Sequence, residues 1–203
     1  MKSSLKNMVL VLFCITLIAS LCLGVVNMIT VDPIAKAKEA AEKAALAQVL
    51  PEFDAVEMSE HTADDLPIVA YTATKEDKVV GYAIKSVTKN GFSGMVTMMV
   101  GFDTKGRILN VNVLEQNETP GLGAKMTEEG NPLLASIKDK EAKKIKLQVK
   151  KDGGDVDALT AATISSRAYA EAVARAFEVF EVAAGWDDDV NATSGATKTE
   201  QEE

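Results

Sequence analysis

Residues 157–166 read Asp-Ala-Leu-Thr-Ala-Ala-Thr-Ile-Ser-Ser, and they lead directly into the last patterned helix of the chain. Five of the ten side chains carry an oxygen, and most residues between them are small. A threonine at a helix start lies beside backbone N–H groups that have no intrahelical partner, and the helix dipole favours negative charge there. The stretch therefore suits a bound phosphate. An ordinary Ser/Thr N-cap explains the same residues and is far commoner, so the stretch alone does not decide between the two.

The helix that follows is predicted from residue 164 to about residue 184. Its buried face is marked by apolar residues at helical spacing: Ala168, Ala172, Ala176, Phe177 and Phe180. The opposite face is expected to carry a ladder of i,i+3 and i,i+4 charge pairs: Arg167, Glu171, Arg175 and Glu178. Residues 186–203 are polar and acidic, and we predict that this tail is disordered.

Upstream of this helix, residues 68–115 show the alternation of apolar and polar side chains that is typical of strands. Strands are predicted over 68–74, 78–87, 95–102 and 107–115, with turns at 91–94 and 103–106. Val80, Tyr82 and Ile84 are expected to share one strand face. In the last strand, Leu109, Val111 and Val113 are expected to do the same. The pattern indicates an α+β fold with helices packed on an antiparallel sheet.

The neighbouring segments are less regular. Residues 52–66 are acidic and expected to be irregular, 126–143 look helical at their ends, and 145–150 are predicted as a short strand. The methionines at 95, 98 and 99 are better explained as core filling than as a soft-metal site. A basic cluster follows, for which we expect a solvated surface in preference to an anionic-lipid or partner patch: Lys138, Lys140, Lys143, Lys144, Lys146, Lys150 and Lys151.

The N-terminus carries an apolar run of 22 residues, 8–29, preceded by Lys2 and Lys6. As a helix it would span roughly 33 Å, which is enough to cross a bilayer core. A cleaved signal peptide is the competing interpretation, but its apolar region is usually shorter and ends in a small-x-small site. We predict a retained single-pass anchor in the cell membrane, with a cytoplasmic N-terminus and everything after about residue 30 on the outer face.

A second helix is predicted to begin at Asp32-Pro33 and to end at Pro51. It is expected to form a stalk; an oligomerising helix is the alternative, although a mostly alanine face is weak for a coiled coil. The predicted organisation is a cytoplasmic N-terminus and anchor over 1–30, a stalk over 31–51, a folded domain over 52–185 and the tail over 186–203.

The net charge and the few cysteines and histidines argue against several classes of partner and site. The net charge of −8 argues against nucleic acid as a partner, because a nucleic-acid-binding groove needs cations along the phosphates. Both cysteines, Cys14 and Cys22, lie in the apolar run, which leaves none for a disulfide framework or a haem or iron–sulfur site in the rest of the chain. His61 is the only histidine, so neither a metal site nor a Ser-His-Asp triad is predicted, and no catalytic residue is assigned.

One further loop, residues 118–123, reads Glu-Thr-Pro-Gly-Leu-Gly. Its proline fixes a turn, and its two glycines allow a ligand's ring or phosphate to approach the backbone. An ordinary strand-to-helix loop would explain it equally well.

The order of anchor, stalk, β-rich domain, Thr-Pro-Gly-Leu-Gly loop and Asp-x-x-Thr-x-Ala-Thr stretch resembles a known family, over the chain to about residue 185. The family is the FMN-binding G subunit of the Rnf ion-translocating ferredoxin:NAD oxidoreductase, which is related to the C subunit of the sodium-pumping NADH:quinone oxidoreductase. The resemblance implies that a flavin transferase joins FMN through its phosphate to Thr163. Asp157, Thr160 and Ala162 would complete the recognition sequence. The loop would line the flavin, through Glu118, Thr119, Gly121, Leu122 and Gly123, and the 91–94 turn would lie on the flavin side.

The sequence departs from the family pattern at Ala161, where glycine is usual. Alanine is tolerable there unless the position needs a positive φ. A second match, Ser194-Gly195-Ala196-Thr197, has Asn191 in the place of Asp157 and lies in the polar tail with no helix after it. Thr163 is therefore favoured over Thr197 as the acceptor.

The resemblance implies an electron relay on the outer face of a membrane complex, with ion pumping by the assembly and no catalysis by this protein alone. A single anchor without charges offers no ion path. Two other classes stay open: a flavin-free extracytoplasmic scaffold or binding module, and a freestanding flavin reductase.

Overall fold

A computed structural model of the chain describes residues 5–186. Within these residues the elements are α1 Leu5–Val49, β1 Ala55–Ala63, β2 Leu66–Lys75, β3 Lys78–Gly91, β4 Gly94–Phe102, β5 Ile108–Glu115, α2 Pro132–Ile137 and α3 Thr163–Ala183. Three short 3₁₀ turns lie between β5 and α3. The described chain divides into two compact units after Ala41. The predicted disordered tail lies outside the described residues, apart from its first residue.

The N-terminal helix is continuous through Pro33, so the prediction of a new helix beginning at Asp32-Pro33 is wrong. Proline removes one backbone donor, but the apolar run before it and the alanine-rich run after it both favour helix. Its apolar part is long enough to cross a bilayer, which fits the predicted anchor by length and composition.

The five strands form one antiparallel sheet in the order β1-β2-β3-β4-β5, which confirms the predicted antiparallel α+β fold. The first strand lies in the segment that was predicted to be irregular. It pairs with β2 over its whole length, from Ala55 opposite Thr74 to Ala63 opposite Leu66. As a mostly exposed edge strand it contributes little to the core and shows no apolar alternation in sequence, which is why the pattern missed it.

Two bulges change which side chains share a face. Val80 has no partner in β2, because Ala73 pairs with Gly81 and Thr74 with Val79. A single extra residue reverses the alternation, so Val80 packs on the opposite sheet face from Tyr82 and Ile84. Leu109 is likewise extra in β5, and Ile108 therefore joins Val111 and Val113 in the main core. Both predicted face assignments are wrong at the bulge residue.

The two sheet faces are covered by different helices. The main core lies between one face and α3 and includes Ile68, Ile84, Met98, Phe102 and Phe180. The other face is covered by residues 42–49 of α1, which belong to the C-terminal unit. Met98 and Met99 are fully buried on opposite faces, as core filling predicts, whereas Met95 is 54% exposed.

The end of α1 is fastened to the sheet by polar contacts as well as by apolar packing. The Glu42 carboxylate forms an ion pair with Lys85 and accepts a hydrogen bond from the Tyr71 hydroxyl at 3.3 Å. Burial and the nearby Glu42 charge raise the pKa of Tyr71 to about 12. Asn110 and Asn112 donate to the backbone and side-chain oxygens of Gln48. The helix end is therefore part of the domain that contains the sheet.

Gly101 is the closest approach between this helix end and the sheet. A Cβ at this position would overlap the backbone carbonyl of Val49. We expect Gly101→Ala to lower the free energy of unfolding by about 3 kcal/mol, because neither backbone can retreat without loss of packing. Fluorescence of Trp186, the only tryptophan, should report the transition during chemical denaturation in detergent. Met95→Ala in the same strand is the control; an equally small change in both variants would contradict the close packing.

A buried cation holds α3 on the sheet. Arg175 is 6% exposed, donates to the Val87 carbonyl at 2.8 Å and pairs with Glu171 and Asp64. Burial disfavours the charged Glu171 carboxyl, but hydrogen bonds from Asn90, Arg175 and Thr88 outweigh it and lower the pKa of Glu171. The Glu171–Arg175 pair of the predicted ladder is confirmed. It was expected on the face opposite the buried one, but Arg175 is buried because a backbone carbonyl of β3 draws its guanidinium inward. Four of the five residues predicted to mark the buried face are buried, and the fifth, Phe177, is half-buried.

The segment between β5 and α3 contains little regular structure. The predicted helical ends of residues 126–143 appear as 3₁₀ turns at Gly123–Thr127 and Ala142–Lys144, with α2 between them. The strand predicted at 145–150 does not form; only Val149 makes an isolated bridge, to Val156. Its apolar residues instead pack as single side chains into the main core, which produces a strand-like pattern without a strand partner.

Candidate functional site

A cleft of about 280 Å³ opens where three parts of the chain meet: the β3–β4 turn, the loop after β5 and the start of α3. Ligand sites usually measure about 300–1,000 Å³, so this cleft holds part of a ligand and leaves the remainder near the surface. The lining residues are Phe92, Thr119, Leu122, Gly123, Ala161, Ala162, Thr163, Ile164 and Ser165.

The start of α3 supplies unpaired donors to this cleft. The N-cap residue is Ala162, and no side chain caps the helix. Within the described residues, the N–H groups of Thr163, Ile164 and Ser165 make no hydrogen bond. The Thr163 hydroxyl, half-buried in the cleft, also has no partner there. An ordinary N-cap therefore does not explain the stretch, and the helix start is suited to an anion.

The five side-chain oxygens of residues 157–166 have different tasks. Ser166 accepts from the Leu159 N–H and donates to the Ala162 carbonyl, both at 2.9 Å, so it shapes the turn before the helix. Ser165 donates to Glu118. Asp157 lies outside the cleft and pairs with Lys150 at 2.6 Å, and Thr160 is exposed outside it. Of these five, Thr163 alone presents a free hydroxyl to the cleft.

Glu118 connects the three walls without lining the cleft. Its carboxylate is 4% exposed, accepts the Ser93 N–H of the β3–β4 turn at 3.0 Å and accepts the Ser165 hydroxyl of α3. Gly91 and Gly123 make room for it, since a Cβ on either would lie within 2.8 Å of a Glu118 oxygen. We call this carboxylate with its two donors, Ser93 and Ser165, the clasp. It fixes the distance between the turn, the loop and the helix start.

The loop itself is a tight turn around one acceptor. The Thr119 carbonyl accepts the N–H groups of Leu122 and Ala124, at 3.1 and 3.2 Å. Gly121 has φ +77°, which only glycine adopts at little cost, and it faces open space outside the cleft. Glycine at 121 therefore allows the turn, whereas glycine at 123 allows close packing against the clasp.

Three large apolar side chains form the outer part of the cleft. Phe92 is 64% exposed, Ile164 is 47% exposed and Leu122 is 40% exposed. Exposed apolar residues around a concavity favour contact with a flat, partly apolar ligand. The cleft thus combines an anion-binding end at α3 with apolar walls, an arrangement that fits a ring system carrying a phosphate.

The cleft contains five of the nine residues predicted from the sequence: Thr119, Leu122, Gly123, Ala162 and Thr163. Glu118, Gly121, Asp157 and Thr160 lie outside it. Glu118 and Gly121 shape its walls, Asp157 pairs with Lys150, and Thr160 is exposed. Sequence reasoning named the 91–94 turn but not Phe92, and it missed Ile164 and the clasp residue Ser165. An isolated aromatic residue between two glycines was the available signal for Phe92. The alternative acceptor Thr197 lies outside the described residues.

Ala161 adopts a φ of +59°, in the left-handed region that favours glycine. Alanine in place of the family's usual glycine is therefore strained at this position. We expect Ala161→Gly to raise the free energy of unfolding by about 0.5–1 kcal/mol, because relief of left-handed strain exceeds the added chain entropy of glycine. Denaturation followed by Trp186 fluorescence provides the measurement. Ala158→Gly, at an exposed position without positive φ, should destabilise; equal destabilisation of both variants would disprove the strain.

Residues 91–178 match the family described as FMN-binding domain. This range begins at the β3–β4 turn and includes the loop, the clasp and most of α3. The class that the fold and the cleft define is thus an FMN-binding domain.

Relatives extend the similarity over most of the chain. The G subunit of the ion-translocating oxidoreductase complex of Shewanella baltica (strain OS223) is 36% identical over 191 residues, covering 83% of this chain and 87% of the relative. The protein of the same name from Shewanella amazonensis (strain ATCC BAA-1098 / SB2B) is 34% identical, with 86% of each chain covered. That of Escherichia coli (strain K12) is 38% identical over 109 residues, covering 52% and 53%. The chain belongs to this family, the G subunits of ion-translocating oxidoreductase complexes, which confirms the resemblance.

Proposed function

We propose that this chain is a membrane-anchored subunit that relays electrons through FMN held by a phosphoester to Thr163, within an ion-translocating complex of the ferredoxin:NAD type. The names of the relatives and the FMN-binding domain support an electron-transport subunit with FMN. The observation that carries the covalent assignment is the free Thr163 hydroxyl in the cleft, beside three unpaired N–H groups at the start of a 21-residue helix.

The role of the chain's own residues is to bind FMN and to orient it. In the attachment step, a flavin transferase supplies the flavin phosphate in activated form, bonded to a leaving group. The Thr163 hydroxyl oxygen bonds to the phosphorus and loses its proton, and the bond from the phosphorus to the leaving group breaks. The N–H groups of residues 163–165 and the dipole of α3 then balance the remaining phosphate charge. FMN supplies one- and two-electron chemistry when bound. Thr119, Leu122 and Phe92 would limit the ring's movement.

The apolar part of α1 is proposed to anchor the protein in the cell membrane, with the C-terminal unit on the extracytoplasmic side. The lysines before the apolar run favour this orientation. Other redox subunits of the complex are the proposed electron donor and acceptor. The three apolar side chains that form the outer part of the cleft are exposed. Their exposure supports a flavin ring with one edge near the surface, where such partners can approach. The segment predicted as the stalk, residues 31–51, is proposed to act as one up to Ala41, because the end of α1 after it packs on the sheet.

The test is to produce the full chain with and without a flavin transferase and to examine a denaturing gel under ultraviolet light. We expect fluorescence only with the transferase, together with an intact-mass increase of one FMN less one water. A colourless chain in both cases would support the flavin-free scaffold instead. A chain that binds FMN only reversibly and oxidises a nicotinamide cofactor without partners would support the freestanding reductase.

A further inference from the structure

The lysine segment, residues 138–151, contrasts in charge with the rest of the chain. It contains seven lysines and two acids, a net charge of +5, whereas the whole chain carries −8. All seven lysines are exposed. Lys144 pairs with Glu141 and Lys150 with Asp157. Within residues 5–186, the other five make no ion pair, and Lys151 is the one of these that acts on a neighbouring acid, Asp152. We call the remaining four the unpaired lysines: Lys138, Lys140, Lys143 and Lys146.

The segment is held in place by its apolar residues and its backbone. Ile137, Ala142 and Val149 are buried in the main core, with Ile145 and Leu147 packed against it. The backbones of residues 139, 140 and 142 bond to those of residues 106 and 108. With the apolar side chains directed into the core, the lysines project outward from an ordered surface.

The acids that follow this segment do not neutralise its unpaired lysines. Asp152 accepts two 2.7 Å hydrogen bonds from the Arg167 guanidinium, and Asp157 is paired with Lys150. Asp155 accepts the backbone N–H of residue 146 at 2.7 Å, so its carboxylate orders the turn. The four unpaired lysines therefore keep their charge available for an external anion.

The sequence alone favours a solvated surface for these lysines, but from their ordered, unpaired arrangement we propose that the lysine segment docks on anionic phospholipid headgroups of a bilayer. Clustered lysines are attracted to anionic lipid surfaces without needing a fixed geometry. The segment has no arginine and no aromatic residue, whereas protein–protein interfaces are enriched in both and depleted of lysine. Its composition therefore favours a lipid surface over an acidic protein.

The chain also contains its own means of staying close to a bilayer. Only residues 30–41 separate the apolar run 8–29 from the C-terminal unit. Even fully extended, this connection would reach at most about 40 Å. A domain tethered so closely meets the headgroups at high effective concentration, so weak contacts from individual lysines suffice.

The test uses the full chain in vesicles of phosphatidylcholine alone and of phosphatidylcholine mixed with phosphatidylglycerol. Acetylation of each lysine by an impermeant reagent is followed by mass spectrometry. We expect acetylation of the four unpaired lysines, and of Lys150 and Lys151, to be about fivefold slower in the anionic vesicles. Added salt should abolish the difference, and the exposed Lys78 and Lys89 should react equally in both vesicles.

A charge variant separates lipid docking from local shielding. Replacing Lys138, Lys140, Lys143 and Lys146 by glutamine should remove the protection of Lys150 and Lys151, whereas Lys78→Gln with Lys89→Gln should not. Equal acetylation in the two vesicles would overturn the proposal. Protection that requires other subunits of the complex and is independent of lipid charge would also overturn it, in favour of an acidic protein.

Discussion

Replacing Thr163 by alanine is expected to abolish the flavin that remains on the protein after denaturation. The phosphoester needs a hydroxyl oxygen, and among the cleft residues at the start of α3 Thr163 alone has a free one. The other threonine of the lining, Thr119, lies in the loop after β5. Ser165, the neighbouring hydroxyl, is buried and donates to Glu118. The measurement is flavin fluorescence in a denaturing gel, on chain produced with a flavin transferase. Loss should be complete, because no other cleft residue at the start of α3 has a free hydroxyl.

Three variants make this prediction specific. Thr163→Ser keeps the hydroxyl and should retain the flavin. Thr160→Ala and Thr197→Ala should also retain it, since residue 160 lies outside the cleft and residue 197 lies in the second, poorer motif. Circular dichroism should show that Thr163→Ala is folded. Fluorescence that persists in a folded Thr163→Ala protein, or disappears only in Thr197→Ala, would show that the acceptor is misassigned.

Replacing Glu118 by alanine should have the largest effect on the protein without touching the acceptor. The change leaves the Ser93 N–H and the Ser165 hydroxyl without their acceptor and opens a void between Gly91 and Gly123. We expect the free energy of unfolding to fall by about 2–4 kcal/mol, since hydrogen bonds to a buried carboxylate are worth more than neutral ones. Flavin loading should fall as well, because the loop and the helix start lose their common contact.

The control for this change is Glu129→Ala, which removes an exposed carboxylate near the same loop and should leave stability and loading unchanged. Glu118→Gln keeps the side-chain length and an acceptor oxygen, so its effects should be intermediate. Trp186 fluorescence during denaturation measures stability, and the denaturing gel measures loading. If Glu118→Ala and Glu129→Ala behave alike, the clasp does not hold the cleft together.

The antiparallel sheet was predictable because its central strands alternate buried and exposed residues. The first strand was not, because an edge strand with exposed polar side chains has no apolar period to detect. The bulges at Val80 and Leu109 were also invisible, since a local insertion is decided by pairing with the neighbouring strand. Residues 145–150 show the opposite error: apolar side chains spaced like those of a strand fill the core individually.

Within the site, short-range features were easier to predict than long-range ones. A helix start after Ala162 and a threonine beside it follow from local sequence. The contact between Glu118 and Ser165 joins residues far apart in the chain, and no spacing rule reveals it. The family's usual glycine at position 161 raised the question of whether the backbone there has a positive φ. That question could be asked from the sequence alone. The observed φ of +59° has the sign that makes alanine costly.

The central claim, FMN on Thr163, is tested most directly by tandem mass spectrometry of tryptic peptides from chain produced with a flavin transferase. Cleavage after Lys151 and Arg167 releases residues 152–167, and cleavage after Arg175 and Lys198 releases residues 176–198, so the two candidate acceptors fall on different peptides. We predict FMN on the first peptide, with fragment ions that assign it to Thr163. FMN on the second peptide, or flavin recovered only in free form, would contradict the claim.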